Sequence, residues 1–323
     1  MNYRELIITN KEAGRRIDVL LSKRFSRFSR SQISKEIEQG NIFSTSRPIK
    51  PSTCVMLGEF IRMIVPELVP STPPPPLPEI IYEDNLILLV NKPAGMLVHP
   101  TGDFFVWALI GLFKTAYPNH RVDLVHRLDR ETSGALLLTK NVEANSFLKK
   151  QIIQHRVQKI YLAVVMGIPE WEEIDVKEPI DVIPNSSLRS RRGIVEGGSF
   201  CHTKFVIEKR IKNKYSLIRC HLYTGRTHQI RVHLEHLGHP ILGDKIYGHS
   251  NDFYIKYLQK GLSMKMVQEW VFHRQALHAS EIFFPHPKVG HKRIKVPLPE
   301  EIQKVVDGYE PIWDFNHCPL ESE

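Results

Sequence analysis

Cysteine is scarce in this chain. Only Cys54, Cys201, Cys220 and Cys318 occur in 323 residues, and no two of them form a Cys-x-x-Cys pair. That spacing excludes a thiolate metal site and a disulfide framework and fits a reducing compartment, with most of the thiols expected as small buried hydrophobes. Long apolar runs are missing too; none approaches the roughly 18 residues that a membrane helix needs. The opening MNYRELIITNKEAGRR lacks the apolar core of a secretion signal, so a cytoplasmic protein without a membrane partner is expected. Acids are short as well: 35 Asp and Glu face 44 Lys and Arg, a formal charge of +9. The imbalance favours a polyanion such as RNA or DNA over a merely solvated basic surface. Hydrophobic residues make up 42% of the chain, enough for a substantial core.

The run PSTPPPPLPE, Pro70 to Glu79, is the clearest boundary. Stacked prolines can neither donate to a strand ladder nor continue a helix, so they read as a semi-rigid spacer. The expected organisation is a small domain over 1–69, a linker over 70–78, a catalytic domain over 79–305 and a tail over 306–323. In the small domain, Ile17, Leu20 and Leu21 have helical spacing. A second helix opens at Ser29 or Ser31, carries Ile33 and Ile37, and stops near Gly40. Strand-like runs follow at Cys54–Leu57 and Phe60–Val65. Arg24, Arg27, Arg30 and Lys35 crowd the helix pair, which suits phosphate contacts; the alternative is a dimerisation or packing appendage. Beyond the linker, strands outnumber helices and come in neighbouring pairs. They are expected at Ile80–Tyr82, Leu86–Val90, Ala135–Thr139, Ile160–Met166, Lys204–Glu208, Tyr215–Leu222 and Ala276–Phe284. Helices are expected at Val142–His155, Thr227–Leu237 and Glu300–Val306, with a helical insertion at Asp252–Val271. The fold class is therefore α+β, a mixed, mostly antiparallel sheet with flanking helices and loops, preceded by a small α+β domain.

Candidate chemistry concentrates in three stretches. HRLDRETSGALLLTK places Asp129 between Arg127 and Arg130, just before an apolar strand. Nearby guanidinium groups favour a carboxylate in its charged form, available as nucleophile or electrostatic stabiliser, although an arbitrary Asp–Arg pair is more often structural. TGRTHQIRVHLEHLGHP offers Thr224 or Thr227 as a helix cap and a buried stripe of Ile230, Leu234 and Leu237. Arg231 then either pairs with Glu235 one turn on, worth ~0.3–0.5 kcal/mol, or reaches a carboxylate elsewhere such as Asp129. His228, His233, His236 and His239 spread around the helix without a His-Glu-x-x-His pattern, so no metal site is expected. In QKIYLAVVMG, Tyr161 is either core packing or a proton-transfer group.

Five pieces together, LLVNKPAGMLVHP, HRLDRETSGALLLTK, KIYLAVVMG, TGRTHQIRVHLEHLGHPILGDKIYG and ALHASEIFFPHP, resemble the RluA-type family of RNA pseudouridine synthases. The resemblance spans Glu79 to about Leu298. The small domain resembles, less closely, the S-four-type RNA-binding domain, with Glu59 where that domain usually has Asp and STSRPIK in place of its Asn-Gly turn. The family match implies Asp129 as catalytic carboxylate, Arg231 as its partner, and Tyr161 stacked on the target base and positioned to take a carbon proton. It implies Arg127 as an RNA contact near the displaced nucleotide. Arg226, Arg27, Arg30 and Lys35 join it as expected RNA-binding residues. Pseudouridine formation detaches uracil, turns it and rejoins it through carbon 5, so no cofactor is expected. The expected partner is RNA, with rRNA favoured over tRNA, and the expected state is a monomer. The rival is a noncatalytic RNA-binding or ribosome-assembly protein that keeps the fold; a metal-dependent nuclease is a third reading.

Overall fold

The computed structural model describes residues 3–25, 29–64, 74–99, 108–188 and 190–313. The chain divides into two compact units, one running from the N-terminus to Pro74 and one holding 75–99 and the chain beyond 107.

The first unit contains β1 (Tyr3–Ile7), α1 (Ile17–Arg24), α2 (Arg30–Glu38), β2 (Ile42–Ser44) and β3 (Phe60–Ile64). Its strands pair antiparallel in the order β1-β3-β2. Helix α2 starts at a reciprocal cap: Gln32 N donates to Ser29 Oγ at 3.2 Å, and Ser29 N donates to Gln32 Oε1 at 2.8 Å. It stops at Gly40, whose φ of +77° suits the residue that ends a helix. Ile17, Leu20, Leu21, Ile33, Ile37 and Ile61 meet in the core of this unit. The run Cys54–Leu57 is not a strand. Cys54 makes a single bridge to Arg16, and the chain then turns, with Met56 N donating to Glu59 Oε2 at 2.8 Å. Glu59 is buried and also accepts from Arg47 and from Ser44 Oγ. Its pair with Arg47 holds the carboxyl at about 2, despite the opposing effect of burial.

The second unit opens with β4 (Glu79–Glu83), β5 (Ile87–Lys92), α3 (Leu109–Ala116), β6 (Asp123–Leu124), β7 (Ser133–Thr139) and α4 (Val142–Ile153). It continues with β8 (Gln158–Met166), β9 (Glu173–Val176), β10 (Ile180–Val182), β11 (Arg192–Ile194), β12 (Thr203–Ile211) and β13 (Tyr215–Leu222). It closes with α5 (Gln229–His236), α6 (Asn251–Lys260), α7 (Met264–Trp270), β14 (Leu277–Pro285), β15 (His291–Lys295) and α8 (Glu300–Val306). Among the described residues the main sheet has ten strands in the order β4-β5-β7-β14-β8-β13-β12-β9, with β15 on β14 and β6 on β7. Its pairings are antiparallel except β14 with β7, which is parallel. This is the mostly antiparallel α+β arrangement expected from the sequence.

Strand β7 is buried along its whole length, which explains its unbroken apolar run. Helix α4 is capped as expected, Ala144 N donating to Asn141 Oδ1 at 2.8 Å. The insertion forms α6 and α7 around a separate aromatic cluster of Tyr257, Met266, Trp270 and Trp313. Of the proline-rich stretch, Pro70–Pro73 lie outside the described residues, as does the tail beyond Trp313; Pro74–Pro78 have no regular structure. Strand β14 enters between β7 and β8, so the loop before β7 and the middle of β8 become neighbours across a single strand.

Candidate active site

The loop from His126 to Thr132 is fastened on several sides. Lys92 is fully buried at the end of β5, and its ammonium donates to the carbonyls of Pro93 (2.7 Å), Met96 (2.9 Å) and Arg130 (2.8 Å). Burial, then the nearby Arg274 charge, lowers Lys92 to about 7. Gly95 N donates to Arg130 O at 2.9 Å, and Arg130 Nε returns a bond to Gly95 O at 3.0 Å. From the other side, Arg274 Nη1 donates to Glu131 O at 3.2 Å and Gln275 Nε2 to Thr132 Oγ1 at 2.6 Å. Lys245 binds the Glu131 carboxylate. Ser133 Oγ meets His278 Nδ1 at 2.9 Å. A loop held this way fixes the position of Asp129.

The guanidinium that reaches Asp129 comes from across the fold. Arg231 Nη1 donates to Asp129 Oδ2 at 3.0 Å. The Asp129 side chain is 32% exposed and the Arg231 side chain 7%, so the carboxylate meets solvent while its partner lies behind it. Arg231 does not pair with Glu235, which instead takes Arg191 Nη2 at 2.7 Å and the Gly248 N–H at 2.7 Å. A second carboxylate, which the sequence reading missed, holds the rest of the guanidinium. Asp244 Oδ2 accepts from Arg231 Nε at 2.6 Å and Asp244 Oδ1 from Nη2 at 2.9 Å. Asp244 is fully buried and also accepts the Ile246 and Tyr247 N–H groups. Burial raises its pKa, but the Arg231 charge and these donors outweigh burial and leave it below the ordinary value. Burial likewise lowers Arg231, and the Asp244 and Asp129 charges outweigh that. The Tyr247 ring covers the guanidinium at 4.8 Å, a cation–π contact.

Helix α5 does not begin at Thr224 or Thr227. His228 occupies the cap position with φ +60°, and the helix starts at Gln229. Buried Gln229 explains the shift: its side-chain oxygen accepts from Thr224 Oγ1 (2.8 Å) and Arg226 N (3.0 Å), tying the turn to the first helical residue. The unusual φ lets His228 Nδ1 meet the Tyr247 hydroxyl at 2.9 Å, while Nε2 lies 3.8 Å from Asp129 Oδ2. Burial, then the charge of Arg231, brings His228 down to about 4. Two further histidines of this stretch bind protein: His233 bonds Thr203 and the Glu178 carbonyl, and His239 the Met166 carbonyl.

Tyr161 lies mid-strand on β8, opposite Cys220 of β13 and Ala279 of β14, and is 6% exposed. Burial raises its phenol pKa, and the Asp129 charge adds to the rise. Arg127 and Arg226 are exposed on the two loops that flank the site. In the first unit Lys35 is exposed on α2, while Arg30 is exposed yet bonds buried Asp18 through Nε at 2.9 Å. Arg27 lies outside the described residues.

Three comparisons set this site among known proteins. A family model described as RNA pseudouridylate synthase matches residues 86–236. The ribosomal large subunit pseudouridine synthase D of Xanthomonas campestris pv. campestris is 34% identical, over 95% of this chain and 92% of that protein. The ribosomal large subunit pseudouridine synthase C of Pasteurella multocida is also 34% identical, over 93% of this chain and 92% of that protein. The solved structure of human RNA Pseudouridylate Synthase Domain Containing 4 shares the fold, with a TM-score of 0.56 at 22% identity, covering 76% of this chain and 94% of that one.

Proposed function

This chain belongs to the RluA-type family of RNA pseudouridine synthases and forms pseudouridine in RNA, and we propose that it modifies large-subunit rRNA with Asp129 as its catalytic carboxylate. The observation that carries the site assignment is the shared guanidinium: Arg231 donates at once to exposed Asp129 and to buried Asp244. Such an arrangement holds one carboxylate rigidly at a solvent-reachable position with its charge balanced from behind.

In the proposed reaction the target uridine leaves its stack, which costs a few kcal/mol, and Arg127 takes part in filling the gap. Asp129 then acts as a carboxylate, by attack on the anomeric carbon or by removal of a sugar proton. Uracil is released, turns and rejoins the sugar through carbon 5. Tyr161 packs against the base and takes the proton from that carbon. In the resting site the phenol is held protonated by burial and by the charge of Asp129. Its oxygen therefore takes the carbon-5 proton as its own hydroxyl proton passes to water, Asp129 having returned to the carboxylate form when uracil rejoined the sugar. The preference for rRNA rests on the names of the two relatives given above. Action as a monomer in the cytoplasm completes the proposal; the unpaired thiols of Cys54, Cys201 and Cys220 fit a reducing compartment.

The test is Asp129→Ala, assayed on unmodified rRNA and by mapping pseudouridine in cells with and without the gene. Pseudouridine formation is expected to fall to background while RNA affinity stays within about twofold, because Asp129 offers no phosphate contact. A variant that still isomerises uridine would overturn the role of Asp129. A wild-type enzyme that acts only on tRNA would overturn the rRNA assignment.

A further inference from the structure

Lys159 stands out once the site is drawn. It lies two residues before Tyr161 on β8, so the alternation of a strand sends both side chains to the same face. Its backbone pairs with Leu222 at the end of β13, and the chain then turns back over it. A methyl group added at Gly225 would come 3.0 Å from Lys159 Nζ, so the ammonium sits against the Thr224–Arg226 turn. On its other side it is close enough for its charge to help depress His126, the first residue of the loop that carries Asp129. The ammonium thus lies between the Arg127 loop and the Arg226 turn.

Other buried cations of this unit have partners: Arg231 has Asp244 and Asp129, Lys245 has Glu131, and Lys92 has carbonyls. Among the described residues Lys159 has no hydrogen-bond or ion-pair partner, and the side chains of Arg127 and Arg226 have none either. Lys159 is partly exposed, so a ligand can reach it, yet burial alone lowers its pKa. Holding an unpaired ammonium in such a recess costs free energy that a bound anion would recover. Three cations at one rim, none facing a carboxylate, suit a run of backbone phosphates rather than a neutral base edge.

We propose that Lys159 is a substrate-binding residue whose ammonium takes a backbone phosphate of the RNA beside the displaced uridine, between Arg127 and Arg226. This rests on the reading of the site as one for RNA uridine.

The full-length Lys159→Met and Lys159→Arg variants test it by titration with an unmodified large-subunit rRNA transcript at several salt concentrations, alongside thermal melting of the free protein. Lys159→Met is expected to weaken binding about tenfold and to lower the slope of log affinity against log salt by ~0.7–0.9, the release expected from one lost phosphate contact. Lys159→Arg restores the slope. The Tm of Lys159→Met without RNA holds or rises, because the desolvation of an unpaired charge has been removed. Unchanged affinity, weakened affinity with an unchanged slope, or a Tm that falls would each overturn the phosphate contact. Binding is read separately from turnover. If wild-type protein binds with the full slope but forms no pseudouridine, the reading of the reaction fails while the lysine contact stands.

Discussion

Arg231 holds two carboxylates at once, and the two are not equivalent. Asp129 is open to solvent and receives one Nη1–H; Asp244 is buried and receives two bonds in a fork. The fork fixes the guanidinium plane, and the plane fixes where Nη1 points. On the proposed role of Asp129, Asp244 is a positioning residue that acts through Arg231. Asp244→Asn keeps the shape but removes the charge, leaving Arg231 with only a part-exposed partner. Loss of one member of a buried pair costs about 3–5 kcal/mol, so urea denaturation is expected to show a drop of that order. The surviving folded protein is expected to show a lower kcat on RNA with little change in KM, because Asp244 touches no substrate. An unchanged kcat would mean that Asp129 needs no oriented guanidinium. The pairing of Arg231 with Asp129 was legible as one of two alternatives, because each residue lies in a short stretch with its own pattern. Asp244 lay in the matched stretch ILGDKIYG, but its role is visible only once a distant guanidinium arrives. Lys92 was hidden for the same reason: its partners are backbone carbonyls, which no side-chain pattern encodes.

At the scale of elements, the site depends on how closely β7 and β14 approach. Gly134 faces Ala279 in the parallel register, with φ +108°. An added methyl group there would sit 2.3 Å from the Ala279 carbonyl oxygen, and backbone cannot yield as a flexible side chain does. Gly134→Ala is therefore expected to cost about 3 kcal/mol or more, combining left-handed strain with overpacking, and a denaturation curve would measure it. A cost under ~1 kcal/mol would mean that the two strands can slide apart. The helices and buried strands were largely readable from periodicity and caps, as with Ser29, Asn141 and the β7 run. Short edge strands such as β2, β9 and β15 were not, because runs of 3, 4 and 5 residues are too short for alternation to stand out. The start of α5 was misplaced because threonine is a common cap, whereas here Gln229 and the left-handed His228 set the boundary.

For the whole molecule, several histidines are folded as neutral groups. Burial first, with nearby cations, puts His228 and His278 at about 4 and His126 at about 3. Their unfolded value is about 6.5, so between these limits the unfolded chain binds more protons than the native one. Their contribution to stability is complete above about pH 6.5 and is lost as the pH falls toward 4, at up to roughly 1.4 kcal/mol per unit for each group. The Tm is expected to fall steadily on acidification through that window. His278→Gln, which keeps a polar side chain without the titration, is expected to flatten the fall. A flat Tm between pH 6.5 and 4 would rule out buried neutral histidines.

The place of β14 has a further consequence for how the molecule is made. A ribosome releases Asp129, Tyr161 and Arg231 well before it releases Leu277–Pro285, the strand that must slot between β7 and β8. At roughly 5–20 residues per second, the interval from Arg231 to Leu277 lasts on the order of a few seconds. Throughout that interval the nascent chain holds the three proposed reactive groups but has no finished cleft. A half-made copy emerging beside other RNA is thereby kept inert, and competence arrives only near the close of synthesis.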